Sequence, residues 1–386
     1  MSNHATAYDA HRPLIDLIPH DSLYVSDEED GFYAREEDEF LIHPKWKAML
    51  QQTSNRIPRR VQRYLAIYLV FATIAWIGWR SFIGPTYNEY RHEIALMDST
   101  TTETFGANLR PEFKGIIQVK TMDKKHLPVK NKRLVVVGDV HGCKEELEAL
   151  LEKVGFDVDN DHLILTGDII SKGPDSPGVV SLAQEIGASS VRGNHEDRTL
   201  LTIAEMETAH TPLPGPEENA NRTDDSLDEE SFSHGDYKVR KLAKQFSKKQ
   251  IAWLRQCPVI LRIGPVSGMG EVVVVHAGLV PDIPLEQQDP YQVMNMRTID
   301  LKTRVPSENR DGTPWEKFWN HRQKKLPAAE RVTVLYGHDR KRGQNIQKYS
   351  KGLDSGCVGG GHLTALVIDS RGKNKYVQVK CKKYVD

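Results

Sequence analysis

Short apolar runs alternate with amphipathic segments over most of the second half of the chain. The runs RLVVV (133–137) and HLILT (162–166) are rich in β-branched and apolar residues, which is typical of strands buried in a sheet. Between them, EELEALLEKV (145–154) carries leucines at helical spacing and ends before Gly155, a residue type that often terminates helices. Further apolar runs lie at 272–276, 332–336, 363–368 and 376–380. This alternation predicts a layered α/β domain.

One apolar segment is longer than the others and precedes the predicted domain. Residues 64–79, YLAIYLVFATIAWIGW, have Thr73 as their only interior polar break, and counting through Ile83 gives a stretch that can span a membrane as a helix. Arginines are more numerous on its N-terminal side than beyond it, so the positive-inside rule predicts a cytosolic N-terminus. A buried or amphipathic core helix is the alternative explanation of a run this short.

The chain therefore divides into four predicted parts. Residues 1–63 form an acidic, largely disordered cytosolic arm, and 64–83 form a transmembrane helix that serves as a signal anchor. Residues 84–130 are a stalk and 131–386 are the α/β domain. A polar insertion interrupts this domain at about residues 208–236.

Two short motifs agree with this topology, although both patterns also arise by chance. In EDEFLI, Glu37 precedes Leu41 by four positions, as in an acidic dileucine sorting signal, so the arm is a candidate site for an adaptor protein. Asn221 begins NRT, a glycosylation tripeptide within the polar insertion, as expected of a lumenal loop.

Charge is unevenly distributed along a chain that is nearly neutral as a whole. The chain has 52 Lys and Arg against 53 Asp and Glu, a formal net charge of -1. Residues 1–63 and 205–230 together hold 20 of the acidic and 9 of the basic residues, which leaves 33 acidic and 43 basic residues elsewhere. A basic body favours a polyanionic ligand. We expect phosphate-bearing substrates and no nucleic-acid partner.

The remaining composition gives weaker indications. Four scattered cysteines show no metal-binding or redox spacing and are interpreted as structural, although an oxidising lumen would permit a bridge such as Cys257–Cys381. Lysines cluster at 120–132 and 373–383. They are either edge-strand and loop lysines that prevent aggregation or a track for an extended polyanion.

Five predicted strands end in the same way, with an apolar run, then Gly or His, then a side chain that can bind a metal. Because strand ends of such a sheet face one crevice, we expect these side chains to meet. Taken singly, each has an ordinary explanation, such as a turn or a core histidine. The motifs are VVVGDVHG (Asp139, His141), LILTGDII (Asp168), VRGNHE (Asn194, His195), VVVVHAG (His276) and VLYGHD (His338).

The set predicts two divalent cations, because carboxylates must offset the repulsion of two ions about 3.5 to 4 Å apart. Asp168 is the candidate bridging ligand. Mixed imidazole and oxygen ligands favour Zn²⁺ or Mn²⁺, with Co²⁺, Fe²⁺ and Mg²⁺ as alternatives. The other predicted ligands are Asp139 and His141 for one ion, and Asn194, His276 and His338 for the other.

The ordered set GDVHG, GD, GNHE, HAG and GHD resembles the calcineurin-like metallophosphoesterases, and among them the phosphoprotein-phosphatase branch, over roughly residues 132–386. The resemblance implies a β-sandwich of two mixed sheets flanked by helices, with a dimetal site at one rim. It also implies the six ligand roles and attack of a metal-bridging hydroxide on phosphorus. His195 is then placed to protonate the leaving oxygen.

Two residues depart from the protein Ser/Thr phosphatases of this branch. Those enzymes have Asp-Arg three and four positions after the bridging aspartate, where this chain has Ser171 and Lys172. What orients His195 is therefore open, and a lysine supplies a point charge rather than a bidentate fork. The candidate phosphate-binding residues, which are otherwise solvated surface charges, are Lys172, Arg198 and Arg340.

The stretches SKGPDS, VRGNHEDR, GHDRKRG and GLDSGCVGGG resemble the subgroup of diadenosine tetraphosphatases and vacuolar zinc-dependent endopolyphosphatases. The predicted function is cleavage of inorganic polyphosphate by a single-pass type II membrane protein whose catalytic domain faces the vacuole lumen. Diadenosine polyphosphate hydrolysis is one alternative, and a protein phosphatase is another, disfavoured by Ser171 and Lys172. An anchored binding protein without activity is the non-enzyme alternative, and the intact ligand set argues against it.

Overall fold

The computed structural model describes Trp46 and residues 58–99, 115–209 and 237–385. Most of the predicted acidic arm, with its dileucine pattern, lies outside the described residues. So do Asn221 and nearly all of the insertion predicted at about 208–236. These interpretations remain predictions from sequence.

The structure divides into two compact units between residues 87 and 88. The first unit contains helix α1 (Arg59–Gly78), a π-helical turn (Trp79–Ile83) and the start of helix α2 (Gly84–Asp98). An 18-residue window of this helical run has a mean hydropathy of 1.5, and none of it is buried against the rest of the described chain. By length and composition the run is apolar enough to cross a membrane.

The second unit is an α/β domain of fourteen strands and seven further α-helices among the described residues. Its strands are β1 (Val119–Thr121), β2 (Arg133–Val137), β3 (Asp161–Leu165), β4 (Ser189–Ser190), β5 (Ile260–Val266), β6 (Gly270–Val275), β7 (Thr298–Ile299), β8 (Pro306–Ser307), β9 (Thr313–Pro314), β10 (Val332–Tyr336), β11 (Asn345–Ile346), β12 (Ser350–Gly352), β13 (His362–Ile368) and β14 (Asn374–Lys380). Its helices are α3 (Lys144–Val154), α4 (Ser176–Glu185), α5 (Asn194–Ala209), α6 (Tyr237–Ala243), α7 (Lys248–Arg255), α8 (Pro290–Asn295) and α9 (Trp315–Lys325).

Two mixed sheets dominate this domain. One has the strand order β14-β13-β2-β3-β4, in which β2, β3 and β4 are parallel and the β13–β14 hairpin is antiparallel to β2. The other has the order β1-β5-β6-β10-β12-β11, in which β6, β10 and β12 are parallel. A small third sheet has the order β8-β7-β9. The predicted sandwich of two mixed sheets is confirmed.

Alternate residues of the central strands face two different cores, which explains why these strands are apolar throughout. In β2, Leu134 and Val136 face a core between the two large sheets. Val135 and Val137 face a second core, in which helices α3 and α4 cover the five-stranded sheet. A third core, which includes Trp315, packs α9 on the outer face of the six-stranded sheet. The result is a helix–sheet–sheet–helix arrangement.

The C-terminal end of α2 is built into the second unit. Met97 is 1% exposed and belongs to the core beneath α9. Arg304 donates to the carbonyl of Leu96 in the last turn of α2, at 2.9 Å, and to that of Ser99 just beyond it, at 2.8 Å. Its guanidinium also stacks over Phe318 at 4.3 Å. Glu93 pairs with Lys317 at 2.6 Å. Because the last carbonyls of a helix have no partner within it, a cationic side chain there stabilises the helix end.

A disulfide joins Cys357 to Cys381, so the sequence-based bridge between Cys257 and Cys381 is wrong. Cys257 is a buried free thiol, whose Sγ donates to the carbonyl of Trp253 one helical turn earlier. Cys381 instead follows edge strand β14, where its backbone N–H donates to the carbonyl of Gly361, close to Cys357. Because the sulfur of Cys381 is bonded to Cys357, the thiol of Cys257 stays free.

Candidate metal centre

Every predicted metal ligand lies within a few residues of the end of a strand. Asp168 follows β3, Asn194 follows β4 as the first residue of α5, His276 directly follows β6, and His338 follows β10. Asp139 lies just beyond β2. Strands from both large sheets therefore contribute to one site at a single rim of the sandwich.

Glycines precede several of these ligands because the backbone segments approach very closely. A Cβ atom on Gly337 would overlap the carboxylate of Asp139, and one on Gly193 would overlap that of Asp168. Only glycine allows the backbone to come so near a neighbouring side chain. The Gly-Asp, Gly-Asn and Gly-His pairs of the sequence therefore reflect close packing of the strand ends.

Asp168 occupies the centre of the site and is 3% exposed. Its Oδ2 atom lies 3.3 Å from His276 Nε2, 3.7 Å from His141 Nε2 and 3.9 Å from His195 Nε2. Asp139 Oδ2 lies 4.0 Å from His141 Nε2 on one side of this centre. Two groups of candidate ligand atoms, one with His141 and His195 and one with His276 and His338, share Asp168.

Backbone carbonyls orient the histidines. His276 Nδ1 lies 2.9 Å from the carbonyl of Thr166, and His338 Nε2 lies 3.0 Å from that of Asn295. Because a carbonyl only accepts, each of these nitrogens donates, and the opposite nitrogen of each neutral ring presents its lone pair to the site. Those two nitrogens, His276 Nε2 and His338 Nδ1, are 3.2 Å apart, and Asn194 Oδ1 lies 3.0 Å from the first.

This donor set fits divalent cations. Two imidazole lone pairs facing each other at 3.2 Å repel unless a proton or a cation lies between them. Ligand atoms that share an ion at about 2.1 Å are themselves about 3.0 to 3.4 Å apart in octahedral or tetrahedral geometry. The separations of 3.0, 3.2 and 3.3 Å around His276 match that range.

The ionisation of the metal-free site reflects its crowded carboxylates. Although burial opposes it, the Asp168 and Asp139 carboxylates raise the pKa of His276 to about 10. Burial also opposes ionisation of Asp168, yet His276 and the neighbouring histidines hold its pKa well below the usual value. Burial and then the charge of Asp354 raise the pKa of Asp139 well above its usual value. In the metal-free chain a proton on His276 thus supplies part of the positive charge that cations would supply.

Several site residues adopt backbone conformations that are unfavourable for non-glycine residues. His141, Asp168, Ser171, Lys172 and His338 have φ angles of 47°, 48°, 74°, 65° and 72°. Such strain persists where the surrounding structure fixes the backbone, and it is concentrated at functional sites.

Two of the candidate phosphate-binding side chains and the candidate acid lie around a small cleft that is open to solvent. His195, Arg340 and Lys172 line this cleft. The Nζ atom of Lys172 lies 3.4 Å from His141 Nε2. Arg198, the third candidate phosphate-binding residue, is half-buried in α5 and is not among the described residues that line the cleft. The lining residues are His141, Asp168, Lys172, Asn194, His195, His338, Arg340, Asp354, Gly356, Cys357 and Val358.

The sequence interpretation missed Glu196, which is fully buried behind the site. Its carboxylate accepts hydrogen bonds from the backbone N–H groups of Asp168 and Gly193 at 2.8 Å, Ile169 at 3.0 Å and Ile170 at 3.2 Å. Burial and then the Asp168 charge raise its pKa to about 7, against the effect of these donors. Glu196 thus holds the strained loop after β3 against the start of α5. The only sequence signal is the acidic residue that ends GNHE.

Asp354 was also missed. It is 5% exposed, lines the cleft, and accepts a hydrogen bond from the backbone N–H of Gly356 at 2.9 Å. Burial raises its pKa to about 6. It belongs to GLDSG, which does not have the form of an apolar run followed by a ligand, so the strand-end pattern could not identify it.

A two-sheet α/β sandwich with a carboxylate-centred histidine cluster at the strand ends is the architecture of metal-dependent phosphoesterases. A family profile described as calcineurin-like phosphoesterase matches residues 132–358, and the chain belongs to this family. The protein is accordingly a metal-dependent hydrolase, and enzymes of this family use two divalent metal ions.

Named relatives fall into two groups. A zinc-dependent endopolyphosphatase of Saccharomyces cerevisiae is 29% identical over 299 residues, covering 71% of this chain and 89% of the relative. A symmetrical bis(5'-nucleosyl)-tetraphosphatase of Wigglesworthia glossinidia brevipalpis is 24% identical, covering 61% and 96% of the two chains. The crystal structure of a putative diadenosine tetraphosphatase is 33% identical, with a TM-score of 0.52, covering 68% of this chain and 98% of that one. Phosphoanhydride or phosphoester hydrolysis is the activity common to these similarities.

Proposed function

We propose that this protein is an endopolyphosphatase that cleaves internal phosphoanhydride bonds of inorganic polyphosphate. The observation that carries the proposal is the composition of the cleft. Lys172 and Arg340 flank the candidate metal ligands, and the described lining residues include no Phe, Tyr or Trp. A nucleobase gains affinity from stacking on an aromatic side chain, whereas a phosphate chain needs only cations and N–H donors. The similarity to the yeast endopolyphosphatase supports the same substrate.

In this proposal the ligand residues divide between two cations that share Asp168. When bound, the cations supply charge neutralisation and an acidified water for in-line hydrolysis. Asp168 Oδ1 accepts from the backbone N–H of His195 at 3.0 Å, which fixes the orientation of the central carboxylate. The first ion is assigned to Asp139, His141 and Asp168, and the second to Asp168, Asn194, His276 and His338.

The remaining residues act on the substrate. His195 is assigned as the proton donor to the leaving phosphate oxygen. Its side chain forms part of the cleft wall, and its Nε2 atom lies 3.9 Å from Asp168 Oδ2. Lys172 and Arg340 are assigned to bind non-bridging phosphate oxygens. Arg198 lies outside the described cleft lining, and its assignment as a phosphate-binding residue rests on the sequence alone.

The proposed topology is that of a single-pass type II protein of the vacuole. The apolar helical run supports a membrane span at about 64–83, with residues 1–63 cytosolic and the hydrolase domain lumenal. Protease treatment of sealed vesicles tests this topology. Protection of the domain supports the proposal, and its degradation without detergent contradicts it.

The substrate is tested with the full-length protein in detergent, supplied with Zn²⁺ or Mn²⁺ after EDTA treatment. Long-chain polyphosphate, diadenosine tetraphosphate and a phosphopeptide are compared, with the Asp168→Asn variant as the control for contaminating activity. We expect polyphosphate chains to shorten on gels before free phosphate appears. Preferential cleavage of diadenosine tetraphosphate, or phosphate release without shortened intermediates, would contradict the proposal.

Dinucleoside polyphosphate hydrolysis is the second candidate. It is favoured by the solved structure at 33% identity, which covers most of the domain and is described as a putative diadenosine tetraphosphatase. The same substrate comparison distinguishes the two activities.

A further inference from the structure

One wall of the cleft is a glycine-rich loop, residues 356–361, which contributes Gly356, Cys357 and Val358 to the lining. Gly356 and Gly360 have φ angles of 72° and 82°. A loop with so many glycines loses much conformational entropy when it is ordered. Contacts from another part of the chain are therefore needed to hold this wall in place.

Those contacts come from the C-terminal strap, which we define as residues 380–385. The strap is joined to the loop by the Cys357–Cys381 disulfide. The N–H of Tyr384 donates to the carbonyl of Val358 at 2.9 Å, and Lys383 forms an antiparallel bridge with Gly359. The strap and the cleft wall thus form one structural element.

Helix α3 anchors the strap from behind. The Glu146 carboxylate is 5% exposed in total and accepts from the Lys382 N–H at 3.2 Å and from the Tyr384 hydroxyl at 3.0 Å. Lys382 also pairs with Glu145 at 2.7 Å at the surface. The position of the strap relative to the metal centre is therefore fixed by the domain core.

The strap brings lysines to the outer side of the cleft wall. Lys380 and Lys383 are exposed, the Nζ of Lys380 donates to the Gly360 carbonyl at 2.7 Å, and Lys383 packs directly against Gly360. On the inner side of the same loop, Arg340 lies beside Gly359. A hydrogen bond to a carbonyl does not neutralise a lysine, so positive charge lies on both sides of a thin glycine wall.

We propose that the C-terminal strap is a second phosphate-binding subsite, which receives the part of an extended phosphate chain that leaves the cleft across the glycine wall. The inference rests on the proposed polyphosphatase function. Lys172 and Arg340 bind phosphates at the metal centre, and Lys380 and Lys383 bind phosphates farther along the same chain. A monoester or a very short chain does not reach the strap. Only long chains therefore gain binding energy from it.

The test is a kinetic comparison with the full-length, metal-loaded protein in detergent. The variant Lys380→Ala/Lys383→Ala is assayed on long-chain polyphosphate, tripolyphosphate and p-nitrophenyl phosphate. The matched control is Lys373→Ala/Lys375→Ala, which removes the same charge from the other end of the β13–β14 hairpin, where both lysines are exposed. Lys380→Arg/Lys383→Arg tests whether restoring the charge restores binding.

An exposed ion pair contributes at most about 1 kcal/mol, so the loss of two lysines has a moderate effect. We therefore expect Lys380→Ala/Lys383→Ala to raise KM for long chains roughly tenfold and to leave kcat unchanged. KM for the two short substrates and all constants of the control pair should stay within about twofold, and the arginine pair should restore long-chain KM. An unchanged long-chain KM, or an equal rise for short and long substrates, overturns the subsite. Failure of the proposed function is recognised separately, because in that case the wild-type protein itself does not cleave polyphosphate.

Discussion

Replacing Glu196 with Gln tests whether the metal centre depends on the carboxylate behind it. Each carboxylate oxygen accepts two backbone N–H groups, from Asp168 and Gly193 on one side and from Ile169 and Ile170 on the other. A glutamine side chain keeps one accepting oxygen and turns an NH₂ group toward the other pair of donors. Two buried N–H groups therefore lose their acceptor.

Leaving a buried donor without an acceptor costs about 1 to 3 kcal/mol, so Glu196→Gln should lower the free energy of unfolding by about 2 to 6 kcal/mol. The loop that loses these bonds carries Asp168, which has a strained positive φ angle of 48°. We therefore expect weaker metal retention and a lower kcat as well as lower stability.

The assay is urea unfolding of the full chain in detergent, followed by tryptophan fluorescence, together with elemental analysis of bound metal and turnover of polyphosphate. Glu205→Gln, an exposed position on the same helix, is the control, and we expect it to change stability by less than about 0.5 kcal/mol. The reasoning is refuted if Glu196→Gln matches this control in stability, metal content and kcat.

Three further predictions concern the disulfide, the candidate bridging ligand and His162, a buried histidine. Cys381→Ser removes a cross-link between residues that are 24 positions apart. Because the cross-link restricts the unfolded chain, its loss should lower the free energy of unfolding in urea by about 3.5 kcal/mol. Equal stability of the wild type with and without dithiothreitol would contradict this. Asp168→Asn should leave the fold intact by circular dichroism but lower bound metal and abolish hydrolysis, and retained turnover would refute its bridging role. Burial, and then the charges of His126 and Lys125, lower the pKa of His162 to about 4 in the folded chain. The unfolded chain, in which this histidine has its ordinary pKa of about 6.5, therefore binds a proton more readily. The free energy of unfolding should accordingly fall as the pH drops below about 6.5. Between pH 7 and 5 the wild type should lose about 2 kcal/mol more stability than His162→Gln, as measured by urea unfolding at both pH values, and an equal loss in the two proteins would contradict this.

Local sequence signals predicted a layered α/β domain and selected residues that meet at one rim of it, whereas the sandwich of two mixed sheets was implied by the family resemblance. The apolar run of β2 is buried on both sides, and the Gly-Asp pair beyond it is a local signal of a strand end that approaches another chain segment. The role of Glu196 could not be predicted in this way, because its partners follow β3 and are brought to it only by tertiary packing. The partner of Cys381 was missed for the same reason, since the loop bearing Cys357 reaches the end of β14 only in the folded domain. Periodicity along a chain does not record such contacts.

The way Arg304 and Met97 join α2 to the domain has a practical consequence for truncated forms of the protein. A fragment begun at residue 115 would lose Met97 and expose the apolar pocket that it fills, and would leave Arg304 without the two carbonyls it binds. A fragment begun at Asn88 keeps the entire second unit. A fragment that begins after the apolar run and before the end of α2, at about residues 84 to 88, is therefore expected to be soluble, whereas a fragment that lacks Met97 is expected to aggregate.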